Sequence, residues 1–382
     1  MSMSTRLLPF ALAAGLTVVS FGALAQEVVV KLGHVAPTTG PIAHLGKDME
    51  NSARMAVEDL NAAGVTLGGK KVKFELLAED DASDPKQGTA AAQKLVDAKV
   101  NGVIGHLNTG TSIPASKIYY DAGIVQISPA STGTAYTKQG FDTTFRVVAN
   151  DGQLGGTLGR YAVKELKAKN FAVVDDRTAY GQGVAEEFAK SAAAAGGKVV
   201  SRQYTTDKAT DFQAILTSMK ANKPDVVFFG GMDAVAGPML RQMKALGIEA
   251  HLMGGDGICT TSLSRLAGDA IGNGKVVCAE AGGVAGEQKT TMDAFRAKYK
   301  KRFNSDVQLY APYVYDAMMV MVEAMKKANS SDPAKYGPEL YKISYKGVTG
   351  PITFDKNGDI KNGALTLYTY KGADRSELAV VR

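Results

Sequence analysis

The chain has 382 residues, 45% hydrophobic and 21% charged, a balance that excludes a disordered or fibrous protein. With 44 Lys and Arg against 38 Asp and Glu the formal charge is +6. The basic residues are scattered, with only short runs such as Lys298-Tyr299-Lys300-Lys301-Arg302, so a solvated surface is expected and nucleic acid is not. Four dispersed His and two Cys argue against a metal site, and no cofactor is expected.

Residues 1–25 read as a signal peptide. Arg6 supplies a positive start, Leu7 to Leu24 an apolar run, and Ala23-Leu24-Ala25 an A-x-A site, so cleavage would leave Gln26 first. Pro9, Gly15, Ser20 and Gly22 interrupt the run, against a membrane anchor. The absence of Cys at the cleavage site argues against lipidation, and the mature protein is expected to be exported, soluble and periplasmic.

From Gln26 on, short apolar strands alternate with amphipathic helices, the pattern of parallel sheets covered on both faces. Val28 to Leu32 is the first strand, and a helix follows over Ile42 to Asn61 with Met49, Ala53, Ala56 and Leu60 at helical spacing. Val72 to Leu77 is the second strand. Asp84 then caps a helix that has Pro85 at its first position, where the missing N–H costs nothing. Gly102 to His106 and Ile124 to Ile127 are the third and fourth strands, and Phe145 to Val148 a crossover. The alternation restarts after Ala149 with strands at Phe171 to Val174, Lys198 to Arg202, Val226 to Phe229 and His251 to Met253. Gly181, Gly230-Gly231 and Gly254-Gly255 follow strands, where open α/β sheets bind ligands. Ala311 to Lys326 is an apolar helix. Pro351 to Phe354 and Leu365 to Tyr370 read as a hairpin around Lys356-Asn357-Gly358-Asp359.

Enzymatic motifs are missing. Gly64 to Lys70 imitates a phosphate loop, but Lys71 stands where Ser or Thr is needed and a helix precedes it. Ser83-Asp84-Pro85-Lys86 fits S-x-x-K without its S-D-N or K-T-G companions. No G-x-S-x-G, H-E-x-x-H or strand-helix G-x-G-x-x-G occurs. The candidate site is instead a pair of hydroxyl-rich loops after strands, Leu107-Asn108-Thr109-Gly110-Thr111-Ser112 and Ser128-Pro129-Ala130-Ser131-Thr132. Such loops offer hydroxyls and N–H groups at helix N-termini, suited to a carboxylate or to ordinary capping. In an oxidising compartment, Cys259 and Cys278 are a candidate disulfide.

Asp80-Asp81-Ala82-Ser83-Asp84-Pro85-Lys86, Ile104-Gly105-His106-Leu107, Tyr180-Gly181-Gln182-Gly183, Phe229-Gly230-Gly231 and Met253-Gly254-Gly255-Asp256-Gly257 together resemble the periplasmic binding proteins that deliver leucine, isoleucine and valine to ABC importers. The resemblance covers almost the whole chain after residue 25. It implies two Rossmann-like α/β lobes, each a mostly parallel sheet flanked by helices, joined by a three-strand hinge (the type I periplasmic binding protein fold). The lobes would be residues 26–147 with 281–348, and residues 148–280 with 349–382. Ligand would bind between them and drive closure.

The resemblance also implies roles. Positions matching Thr109 and Thr132 hold the α-carboxylate, and those matching Ala130, by its carbonyl, and Thr132 accept from the α-ammonium. Asp256 stands where the relatives carry Glu and would pair with the ammonium, while Tyr180 would cover the ligand. Met232 and Leu45 each stand where the relatives have Tyr, which makes the side-chain pocket more apolar, and Tyr310 falls near a pocket wall. Leu107 and Ser131 complete the candidate contacts. The relatives bridge the positions matching Ser83 and Asn108, so Cys259–Cys278 would be a different staple, close to Asp256. The expected function is capture of a hydrophobic or branched-chain L-amino acid for a membrane permease, by a monomer without catalysis. An amide, urea or aromatic carboxylate as ligand, and a sensory role, are the alternatives.

Overall fold

A computed structural model of the protein describes Met1, residues 27–282 and residues 287–381. The expected leader lies outside the described residues apart from Met1.

The chain begins with β1 (Val28–Ala36), α1 (Ala43–Ala62), β2 (Thr66–Leu67), β3 (Lys70–Asp80), α2 (Pro85–Asp97), β4 (Gly102–Gly105), α3 (Thr109–Asp121), β5 (Gln126–Ser128) and β6 (Thr144–Arg146). These strands form one sheet in the order β2-β3-β1-β4-β5-β6. β1 lies parallel to both β3 and β4, and the short β2 is antiparallel to β3. Next come α4 (Asp151–Lys164), β7 (Asn170–Asp175), α5 (Ala179–Ala194), β8 (Lys198–Tyr204), α6 (Gln213–Lys220), β9 (Val226–Gly230), α7 (Asp233–Ala245), β10 (His251–Gly254), α8 (Leu263–Ala267) and β11 (Asn273–Glu280). The last part holds α9 (Glu287–Phe303), α10 (Ala311–Ala328), α11 (Pro333–Leu340), β12 (Tyr345–Lys346), β13 (Pro351–Ile352), β14 (Leu365–Lys371) and β15 (Asp374–Val381). A second sheet runs β15-β14-β11-β10-β9-β7-β8.

The chain therefore visits each half of the molecule twice. α10 packs back on α1, β4 and β5 of the first half, and β14 and β15 then return to the second sheet. Local chemistry sets many of the boundaries. Asp84 accepts from the Lys86 and Gln87 amides to cap α2 behind Pro85, as the sequence predicts. Asn150 and Gln153 form a reciprocal capping box on α4, and the Thr178 hydroxyl caps α5 through the Gly181 amide. β9 is buried at every residue, which suits a central strand covered on both faces.

Some expectations require correction. Leu365–Lys371 does not pair with Pro351–Phe354. It lies antiparallel to β11 on one side and to β15 on the other, while β13 pairs with β12 and Phe354 bridges to Ile360. The Lys356–Asp359 turn closes only that small bridge, because the Phe354 ring packs on Phe145 at 5.1 Å and the Arg146 amide bonds the Gly358 carbonyl at 3.0 Å. The segment expected as a crossover begins within β6, and the fourth strand starts two residues later than expected.

Candidate functional site

The site lies where strand ends of both sheets face each other. From the first half, β4 runs into Leu107-Asn108 and then α3, so Thr109 opens that helix. β5 runs into Ser128 to Thr132. Serine hydroxyls lock these two loops together. Ser128 Oγ accepts from the Ser131 amide at 2.9 Å and donates to the His106 carbonyl at 3.0 Å. Ser131 Oγ donates to the Leu107 carbonyl at 3.0 Å and meets Ser112 Oγ. Thr109 Oγ1 accepts from the Gly133 amide at 3.1 Å. Beneath them, His106 is buried between Asp81 (2.9 Å) and the Tyr119 phenol (3.1 Å).

From the second half, the end of β10 turns at Asp256, and α5 brings Tyr180 over it. Two glycines permit that approach: a Cβ at Gly230 would lie 2.1 Å from the Gly181 carbonyl oxygen, so no larger residue lets α5 start this close to β9. Tyr180 donates to one Asp256 oxygen at 2.9 Å, and Tyr310, at the start of α10, donates to the other at 2.9 Å. The Gly257 amide in turn donates to the Tyr180 oxygen at 3.0 Å. Since α10 packs on the first sheet, the Tyr310–Asp256 bond crosses between the halves.

A small pocket, about 10 Å³ in volume, is lined by Leu107, Asn108, Thr109, Ala130, Tyr180, Met232, Asp256 and Tyr310. Seven of the expected site residues thus meet around one space. Three do not line it. Leu45 is buried in the adjoining apolar core, the Ser131 hydroxyl is spent on the loop network, and Thr132 is buried with its hydroxyl unpaired among the described residues. Asn108 lines the pocket although in the sequence it stood as a loop residue and as the match to one end of the relatives' bridge, with no ligand contact expected. Tyr310, whose residue type could equally have served core packing, binds Asp256. A larger cleft of about 470 Å³, reaching Pro41, Ile42 and Arg177, shares Asn108, Tyr180 and Met232 with the pocket.

The electrostatics are asymmetric. Burial pushes the Asp256 carboxyl up to about 6, against the downward pull of the Tyr310 and Tyr180 hydrogen bonds. Burial likewise lifts Asp151, at the start of α4, to about 7, with the Thr132 hydroxyl lowering it and the Asp256 charge raising it. Burial and then the Asp256 charge push both phenols well above their ordinary range. One wall thus carries the Asp256 carboxylate, whose charge also acts on the buried Asp151. The other is the N-terminal turn of α3, which attracts an anion. Such a space suits a molecule carrying both charges. Among the described residues no group of His, Cys, Asp and Glu could hold a metal, and no helix is long and apolar enough to cross a membrane. Cys259, just after the Asp256 turn, is bridged to Cys278 on β11, their Cα atoms 5.3 Å apart.

A family model described as periplasmic binding protein matches residues 29–375. The chain is 36% identical over 360 residues to the Leu/Ile/Val-binding protein homolog 1 of Brucella abortus, covering 94% of each chain. It is 33% identical to the leucine-, isoleucine-, valine-, threonine- and alanine-binding protein of Pseudomonas aeruginosa, covering 91% of this chain and 92% of that one. The branched-chain amino acid transporter substrate-binding protein LivJ of Streptococcus pneumoniae, solved with isoleucine, superposes with a TM-score of 0.83 at 26% identity over 93% of this chain and 99% of that one.

Proposed function

This chain belongs to the periplasmic binding proteins, which are binders rather than enzymes, and from that premise we propose that it captures a hydrophobic or branched-chain L-amino acid and presents it to the permease of an ABC importer. The observation that carries this reading is the Asp256 carboxylate, 2% exposed and held by two phenols, facing the α3 N-terminal turn across an apolar-walled cavity. The α-carboxylate lies at Thr109 and the first amides of α3. The α-ammonium lies against Asp256, with the Ala130 carbonyl and Thr132 hydroxyl as further acceptors. Leu107 and Met232 surround the side chain.

Two lobes, residues 26–147 with 281–348 and residues 148–280 with the β14–β15 end, close on the ligand, and the permease reads the closed form of a periplasmic monomer. The names of its relatives and the charge pattern of the cavity support this assignment. An amide or an aromatic acid is disfavoured, because an anion without an amine gains nothing from Asp256 and is repelled by it.

Calorimetry of ligand-stripped protein against Leu, with Asp256→Ala beside it, tests the proposal. Tight binding that the substitution weakens by about 2 kcal/mol or more, the usual cost of removing one partner of a buried charge pair, is expected. No binding of Leu, Ile or Val by the parent protein overturns it.

A further inference from the structure

Asp151 is buried to 1% exposure at the start of α4, and neither of its carboxylate oxygens has a hydrogen-bond partner among the described residues. An acid in the first turn of a helix gains from the helix dipole, but it gains that in solvent as well. Burying a carboxylate without donors is costly and calls for a reason. The surroundings supply one. The Asp151 amide donates to the Thr132 carbonyl at 2.8 Å, and the Thr132 hydroxyl, also unpaired and fully buried, is near enough to lower the Asp151 carboxyl. α5 leaves room for the carboxylate, since a Cβ at Gly183 would stand 2.6 Å from Asp151 Oδ2. One turn on, Leu154 packs on the loop that carries Asp256, 3.0 Å from where a Gly255 Cβ would be. α4 therefore holds Asp151 beside Thr132 and within reach of the Asp256 charge.

We infer that Asp151 is a positioning residue of the ammonium site: its carboxylate takes the hydrogen of the Thr132 hydroxyl, turning the Thr132 lone pairs toward the α-ammonium, and its charge adds to that of Asp256. This rests on the zwitterion reading above. The groups that act on Asp151 are Asp256 at the end of β10, Tyr180 and Glu187 of α5, Thr132, and Arg146 of β6. Arg146, the cation among them, has its guanidinium committed to Asp359, Thr137 and the carbonyls of Ser131 and Gly133. An arriving ammonium is thus the unsatisfied demand of the pair. Burial, first among the causes, holds Asp151 near 7 and Asp256 near 6 without it. Bound ammonium favours the ionised forms, so affinity is full above pH 7 and declines as the pH falls, first through Asp151 and then through Asp256.

Leu affinity measured by calorimetry from pH 5 to 8, for the wild type and Asp151→Asn, tests this, with thermal melting to confirm folding. The wild-type decline is expected to begin near pH 7. Asp151→Asn is expected to bind about tenfold more weakly at pH 8 and to begin its decline only near pH 6. Equal affinity and an identical profile in the two proteins overturn the role of Asp151 and leave the amino-acid reading standing. No binding of Leu by the wild type at any pH overturns both. Should Asp151→Asn not fold, the wild-type profile decides: an onset near pH 7 supports the inference, while a flat profile or an onset near pH 6 overturns it.

Discussion

Asp256 is held between two phenols that arrive from different halves of the molecule, Tyr180 on α5 and Tyr310 at the start of α10. Each hydrogen bond stabilises the ionised carboxylate against a burial that pushes it up to about 6. A hydrogen bond to a charged group contributes about 1.5–3 kcal/mol. Tyr310→Phe removes one donor, so the carboxyl rises further and stays protonated to higher pH. Leu binding to that variant is expected to be roughly tenfold weaker at pH 7 and to recover toward pH 8; an unchanged dissociation constant at pH 7 would refute the pairing. Of this arrangement, the sequence made Asp256 and Tyr180 legible, because both follow strand ends that match the binding-protein pattern. It did not reveal the part of Tyr310, which lies 54 residues beyond Asp256 and meets it only through the return of α10 to the first half. Asp151 was hidden for a related reason: an acid at a helix start reads as capping, and only packing against α5 and Thr132 shows it to be buried.

Elements with continuous apolar runs and strong caps, such as β9, β10 and α2, were legible in outline because each is specified by its own residues. β15 was not. It carries Asp374, Arg375 and Glu377 and is largely exposed or half-buried, the charged character of a sheet edge, so nothing in its hydrophobic pattern marks a strand. It is held by tertiary contacts, among them an ion pair from Arg375 to Glu280 at 2.9 Å and a hydrogen bond from Arg375 to the Cys259 carbonyl. Thus β15, β11 and the Asp256 turn share one anchorage, and the Cys259–Cys278 bridge lies inside it. Closing a loop with a sequence separation of 19 stabilises the fold by about 3 kcal/mol in the chain-entropy account. Replacing both cysteines with Ser is expected to lower the stability by that order in urea unfolding. Leu affinity should fall only a few-fold, since Asp256 keeps its phenols. Coincident unfolding curves for the two proteins would show that the bridge adds nothing.

At the scale of the whole molecule, ligand capture depends on contacts that exist only when the two halves are together. His44 on α1 meets Asp233 on α7 at 2.8 Å, and Asp233 also accepts from the Thr260 hydroxyl at 2.6 Å. Thr261 and Ser262 both donate to the Gln308 side-chain oxygen at 2.9 Å. None of these residues lines the inner cavity, so in the proposed closure they would join the two halves without touching the ligand. A residue that stabilises the closed form raises apparent affinity by raising the fraction of molecules able to bind. The His44 side chain is 23% exposed and its Asp233 partner fully buried, which places the pair between a surface bridge and a core hydrogen bond, at about 1 kcal/mol. His44→Ala is therefore expected to weaken every amino acid that binds by the same factor, roughly five-fold, with the ranking among Leu, Ile and Val preserved. In solution scattering, the ligand-free variant should have a larger radius of gyration than the ligand-free wild type, and saturating ligand should bring the two together. A change in ranking would mean that His44 shapes the pocket; equal radii and equal affinities would mean that closure is governed elsewhere, as by the Tyr310–Asp256 bond between the halves.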